Sequence, residues 1–419
     1  MHAFIIHGGK PLNGTVKISG AKNSALKLMC AAILTEDPLE LHNLPELDDI
    51  TSMARLLAHL GLKLSSHENN ELTLQADNIT HLDAPYELVK RMRASIIVLG
   101  PMLARFGKAK VSLPGGCAIG ARPVDMHLKA LEQMGAKIDI EEGYVLAECP
   151  RLQGAEINFD KVSVGATENI LMAATLANGV TIINNAAREP EIGDLANCLV
   201  KMGAKIDGIG TSTLRVEGVD KLHGCTHEVI ADRIEAGSFI IAAAITGGEI
   251  EVQGVTPEIF GSCYDSMLEA GIEIIVGSNS LKAKSSKLKA VDITTKPFPG
   301  FATDMQAQFM SLMCLADGNS HIKETIFENR FMHVPELMRM GANISITGNE
   351  AVVHGVAKLK GAEVMATDLR ASFSLVLAAL AAEGQTKMSR IYHIDRGYEK
   401  VEQKLRALGA DIERIIEEK

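Results

Sequence analysis

The 419-residue sequence predicts an α/β protein of two domains, each assembled from three repeated units. Three observations carry that prediction. A glycine-ended signature recurs six times, a more apolar segment accompanies each copy, and the chain is longer than one hydrophobic core usually spans.

The signature reads HLGLKL from His59, QMGAKI from Gln133, KMGAKI from Lys201, EAGIEI from Glu269, RMGANI from Arg339 and ALGADI from Ala407, at spacings of 74, 68, 68, 70 and 68 residues. Each copy predicts a helix ending in a glycine free to take the left-handed backbone of a C-cap, followed by period-two alternation that starts a strand. The companion segments are NSALKLMCAAIL from Asn23, ASIIVLGPMLARF from Ala94, TENILMAATLA from Thr167, EAGSFIIAAAIT from Glu235, DMQAQFMSLMCLA from Asp304 and ASFSLVLAALAAEG from Ala371. Their Ala, Gly and Ser content suits helices packed closely on other helices. Every copy therefore reads as a βαβαββ-type unit with one buried and one outer helix. A period this long exceeds the roughly 20–50 residues of solenoid repeats, which favours closed packing. Grouping by threes places a boundary between Cys225 and Asp232 and leaves Phe4–Ser19 free to pair with either half. A cleft between the halves is the expected place for a ligand.

Composition narrows the partners. A formal net charge of -10 opposes nucleic-acid binding, which depends on an excess of Lys and Arg against phosphate. Small anions remain open, since a few converging cations bind them against the overall sign. Aromatic residues make up 4% and Trp is absent, so the cores must be built from Leu, Ile, Val, Met and Ala. MHAFIIHGGK carries no signal pattern, and apolar runs such as Ala371–Ala382 stop short of a membrane span, so a cytoplasmic protein is expected. The seven cysteines contain no C-x-x-C pair, which predicts neither a metal site nor a disulfide framework. His223 and His227 lack a third ligand and read as surface histidines.

The segment KISGAKNSALKL, from Lys17, places Ser19 or Gly20 at a helix start and Lys22 in its first turn. A cation there opposes the helix dipole, whereas an anion bound jointly by backbone donors and the lysine reverses the balance. A solvated surface lysine is the ordinary alternative. Arg93 opens the second buried helix, Asp304 the fifth, and Arg370 precedes the sixth; superposed repeats would project these charges from corresponding ends. VSLPGGCAIGARPVDMH, from Val111, predicts a mobile loop presenting Cys117 beside Arg122, a setting that favours thiolate chemistry or proton donation. Cys30, Cys198 and Cys314 lie on apolar helices and read as inert core thiols. KVSVGATEN from Lys161 and TDLRAS from Thr367 put polar groups at strand-to-helix junctions, while Arg330, His333, Asp395 and Arg396 lie in non-periodic segments. Singly, each is ordinary capping or a surface pair of little worth. Together with Lys22, Arg93, Arg122 and Arg370 they suit a substrate bearing both phosphate and carboxylate. No Walker-type loop or GxGxxG fingerprint follows a strand.

ISGAKN, LPGGCAIGARPVD, DKVSVGATEN, NAAREPEI, FATDMQAQF, FENRFMHVPEL, MATDLRAS and IYHIDRGYE resemble, from near one end of the chain to near the other, motifs of the enolpyruvyl transferase family that acts on UDP-N-acetylglucosamine. The resemblance implies two inside-out α/β barrel-like domains with helices inside and sheets outside, expected over 22–229 and over 1–21 with 230–419, and a site between them. It implies enolpyruvyl transfer from phosphoenolpyruvate to the 3'-hydroxyl of UDP-N-acetylglucosamine, releasing phosphate, with no metal or organic cofactor and no obligate protein partner. Asp304 would move the hydroxyl proton, and Cys117 would supply a proton to C3 or form an adduct. Lys22, Arg122 and Arg396 would clamp phosphate, Arg330 and Arg370 the carboxylate, with Asn23 and Arg93 orienting the reactants. Arg122, Pro123, Val124, Asp125 and Met126, with Lys161, Val162, Ser163 and Val164, would cradle the uridine diphosphate, and Asp304 and Ile326 would lie near the sugar. Ala302 stands where the family usually has Pro, and Asp48 where a basic residue is familiar. Lys22 and Asp304 are both expected to face solvent. Two other readings compete: the family's shikimate 3-phosphate enzyme, which lacks the Cys loop and uridine motifs, and a catalytically silent sugar-nucleotide binder, disfavoured by Cys117, Asp304 and Lys22 together.

Overall fold

The computed structural model describes residues 2–90, 92–113 and 124–417, and for Arg93 the backbone alone. The chain divides into two compact units. The terminal unit takes residues 1–19 and 231–419; the medial unit takes the described residues between Gly20 and Ile230.

Among the described residues the strands form six four-stranded sheets, three in each unit. All six share one pattern: a parallel pair followed by two antiparallel partners. In the medial unit Glu156–Asn158 runs parallel to Val180–Asn184, which pairs antiparallel with Thr213–Glu217, itself antiparallel to Lys205–Asp207. The chain between these strands supplies an inner helix, Val164–Ala174, and an outer one, Pro190–Lys201, giving the order βαβαββ. Alternating exposure along the strands, as in Thr213–Glu217, turns one face of each sheet to the core.

The six signature glycines behave as helix stops. Gly61, Gly135, Gly203, Gly271, Gly341 and Gly409 have φ of 110, 93, 101, 89, 92 and 99°. A side chain at these positions would be strained, so the glycine ends the outer helix and aims the chain into the next strand. The companion segments are the inner helices. Every residue of Gln306–Met313 is buried, as is all of Arg233–Thr246 except Thr246 and all of Lys22–Ala31 except Asn23. Such helices have no solvent face, in keeping with an apolar character all round.

Two sheets in the terminal unit depend on strands from the chain's beginning. Asn13–Lys17 pairs parallel with Glu249–Gln253, and His2–His7 lies between Gln385–Ser389 and Asp411–Ile416. The segment left open by sequence reading therefore belongs wholly to the terminal unit. In the medial unit, Leu39–His42 gains its parallel partner Thr226–Glu228 only after most of the unit has been traversed. No helix among the described residues is long and apolar enough to cross a membrane.

Candidate active site

In the medial unit, Lys22 is the first residue of Lys22–Ala31 and follows an extended Ala21 that makes no side-chain cap. The helix thus begins two or three residues later than Ser19 or Gly20. Gly20 is required by close approach: a Cβ there would lie 1.9 Å from the Asn43 carbonyl oxygen. Lys22 does not face solvent. It is 7% exposed, with Nζ 3.2 Å from Oδ2 of Asp49, itself buried in the first turn of Asp48–Leu60. One turn on, Lys27 donates to the Asn23 carbonyl at 2.7 Å and lies 3.4 Å from Glu168. Neither oxygen of the fully buried Glu168 has an aligned hydrogen bond, and burial raises its carboxyl to about 7 despite Lys27.

The two segments expected to hold a uridine diphosphate also converge in the medial unit. Val124, Asp125 and Met126 lead into Asp125–Gln133, while Lys161 and Val162 lead to Ser163, whose Oγ caps Val164–Ala174 through Ala166 N at 3.3 Å. The segments meet where the His127 ring packs on Gly165, 3.3 Å from where a Cβ would stand. Asn169 joins His127 at 3.0 Å and accepts from Gly100 N at 2.8 Å, tying three elements together. Burial lowers the His127 imidazole to about 4, so the ring is neutral near pH 7.

The terminal unit holds a denser array. Asp304 occupies the turn Thr303–Met305 and forms ion pairs with Arg330 Nη2, 2.7 Å from one oxygen, and with Arg370 Nε, 3.4 Å from the other. The Arg370 contact is ionic only, since Nε makes no aligned hydrogen bond. Arg370, 2% exposed, also approaches Asp232 Oδ2 and the Gly397 carbonyl, each at 3.4 Å, and lies over the Tyr398 ring. Arg330 Nη1 donates to Thr303, whose hydroxyl donates to buried Glu324. Glu324 in turn accepts the backbone N–H groups of Ile326 and Phe327. The structure therefore gathers Asp304, Arg330, Arg370 and the loop bearing Ile326. Arg396, half-buried, directly precedes the Gly397 that Arg370 touches. The Asp304 side chain keeps 26% exposure, so the array opens at that carboxylate.

Cys117, Arg122 and Pro123 lie outside the described residues, as does the side chain of Arg93, whose backbone begins the turn Arg93–Val98. Sequence reading missed Asp49 and Asp232, which pair with Lys22 and Arg370, and Glu324, which holds the Thr303 hydroxyl that meets Arg330. Asp232 carried a signal: its side chain caps Arg233–Thr246 by accepting from Ile234 and Glu235, the D-x-x-E pattern of a helix start. It also took His227 for a surface residue, whereas His227 is buried and bonds Asp194 at 2.8 Å.

A chain of six βαβαββ units, one of whose two compact units holds such a charged, partly open array, has a clear family. The profile of EPSP synthase (3-phosphoshikimate 1-carboxyvinyltransferase) matches residues 6–405, and the chain belongs to this family of enolpyruvyl transferases. Within it, the chain is 58% identical to a UDP-N-acetylglucosamine 1-carboxyvinyltransferase of Paracoccus denitrificans (strain Pd 1222), covering 100% of this chain and 99% of that protein. It is equally 58% identical to the protein of that name from Paramagnetospirillum magneticum, covering 99% of each. Among solved structures, the enolpyruvyl transferase NikO from Streptomyces tendae superposes with a TM-score of 0.90 at 25% identity, covering 100% of this chain and 99% of that one. EPSP synthase from Acinetobacter baumannii shares the fold, with a TM-score of 0.79 at 19% identity over 99% of this chain and all of the other. The inside-out two-domain α/β class expected from the sequence is the class of these neighbours.

Proposed function

We propose that this enzyme transfers the enolpyruvyl group of phosphoenolpyruvate to the 3'-hydroxyl of UDP-N-acetylglucosamine, the first committed step of peptidoglycan synthesis, in the cytoplasm. The observation that carries the reading is the 58% identity over full length to proteins bearing that activity in their names.

In the proposed reaction the hydroxyl oxygen bonds to C2 of phosphoenolpyruvate while C3 gains a proton, giving a tetrahedral intermediate. The C2–O bond to phosphate then breaks and C3 gives up a proton, restoring the double bond. Asp304 takes or relays the hydroxyl proton, a role its partly exposed carboxylate suits. Arg330 and Arg370 hold the substrate carboxylate, each already positioned by Asp304. Lys22, Arg122 and Arg396 take the phosphate, with Asn23 and Arg93 orienting the reactants. Val124–Met126 and Lys161–Val164 receive the uridine diphosphate with Arg122 and Pro123, and Ile326 the sugar. Fixed cations around a developing anion are the largest catalytic contribution expected. Cys117 delivers the C3 proton or forms an adduct, and is alkylated by the epoxide fosfomycin.

Incubating the protein with phosphoenolpyruvate and a panel of acceptors while following inorganic phosphate tests the reading. Release with UDP-N-acetylglucosamine alone is expected. Release with shikimate 3-phosphate instead would reassign the acceptor, and binding without release would mark a silent paralogue. Cys117→Asp is expected to keep turnover and lose the fosfomycin adduct by intact mass.

A further inference from the structure

We propose that Cys225 and Cys198 form a reversible thiol–disulfide pair in the medial unit, in which Cys225 reacts with a low-molecular-weight disulfide and Cys198 resolves the adduct. Cys198 lies on Pro190–Lys201 and is fully buried; Cys225 immediately precedes Thr226–Glu228 and is half-buried. The Cys225 thiol donates to the Cys198 carbonyl oxygen at 3.9 Å, which sets the two side chains against each other. Cys225 also lines a surface recess with Glu40, Thr73 and His223. The arrangement thus has an accessible sulfur backed by a buried one, the geometry of a reacting thiol and its resolving partner. Cys30, Cys263 and Cys314, by contrast, are buried and have thiols raised by burial.

The surroundings favour thiolate at Cys225. The Cys198 side chain lowers its pKa most, and His227, Lys201 and His223 add to the effect against the opposing influence of burial. Cys198 is shifted upward by the Cys225 side chain and by burial, so the recess thiol reacts first.

With glutathione disulfide as oxidant, the Cys225 thiolate attacks one sulfur, the glutathione S–S bond breaks, and a glutathione thiolate leaves. The Cys198 sulfur then attacks Cys225 Sγ, its proton passing to the departed thiolate, and the second glutathione leaves. Two protein thiols lose two electrons, and one small disulfide becomes two thiols.

The test treats the full-length Cys117→Ala protein, which lacks the loop thiol, with glutathione disulfide, followed by acid quench and intact mass. The expected product has lost two hydrogen atoms, carries no glutathione, yields a Cys198–Cys225 peptide on mapping, and reverts with dithiothreitol. Cys198→Ser in that background should retain one glutathione on Cys225, and Cys225→Ser should stay unmodified. Cys198→Ala replaces the serine variant if circular dichroism shows that one unfolded. A folded protein whose Cys225 stays unmodified, or a stable glutathione adduct with both cysteines present, overturns the proposal.

Discussion

The two units share one topology and differ in what fills it. Buried rings concentrate in the terminal unit, where Phe373 stacks on Tyr398 at 4.3 Å and meets Phe239 edge-on at 6.0 Å, and Phe301 meets Phe309 at 5.3 Å. The medial core is aliphatic, with Phe159 its one buried phenylalanine among the described residues, while buried methionines occur in both cores. Charge differs as well. The terminal unit sets Arg370 between two carboxylates, whereas the medial unit pairs Lys22 with Asp49 and leaves Glu168 in the core beside Lys27. A βαβαββ unit is therefore specified by its stops and its buried helix, and the particular side chains inside are free to vary.

The largest effects should come from the charged arrays. Arg370→Ala strands Asp232 in the interior, so a loss of about 3–5 kcal/mol in urea unfolding is expected together with loss of phosphate release. Lys22→Ala and Asp304→Ala should each lower phosphate release by at least about 10²–10³-fold with circular dichroism unchanged. A destabilisation by Lys22→Ala as large as that of Arg370→Ala would break the contrast between the units, and near-normal turnover would remove the residue from the mechanism.

Core substitutions sharpen the same contrast at smaller scale. Phe373→Ala should cost about 3–5 kcal/mol, because it empties a ring-sized space and removes two ring contacts. Leu171→Met, in the medial core, should cost under about 1.5 kcal/mol. A loss above about 3 kcal/mol for Leu171→Met would show that the medial core does not accept volume-conserving swaps.

A pH test addresses Glu168. Its folded-state value of about 7 lies above the ordinary 4.5, so the folded chain holds a proton that the unfolded chain has released. Its contribution is most favourable below about pH 4.5 and is lost as pH rises towards 7. Between pH 5 and 7.5 the wild type should therefore lose more unfolding free energy than Glu168→Gln, by on the order of 2–3 kcal/mol. Parallel pH profiles would count against a neutral buried carboxyl. The smallest effect belongs to Ser163→Ala, about 1 kcal/mol from the lost cap.

Much of the architecture was legible because a helix stop is a local event: six glycines announced six units, and each has positive φ. The buried helices were legible for the same reason, since their composition excludes a solvent face. What escaped were pairings across long stretches of chain. Lys22 meets Asp49 through the packing of two helices, and Arg370 meets Asp232 across 138 residues. Neither distance leaves a periodic trace. Lys22 consequently looked solvent-facing and His227 superficial, although each is buried against a carboxylate.

The sheet that seats His2–His7 between Gln385–Ser389 and Asp411–Ile416 also bears on biosynthesis. A ribosome delivers this strand before the whole medial unit and its two neighbours after it. The stretch to Ile230 can condense while that strand still waits unpaired, its backbone donors and acceptors held by water or a chaperone until the final residues emerge.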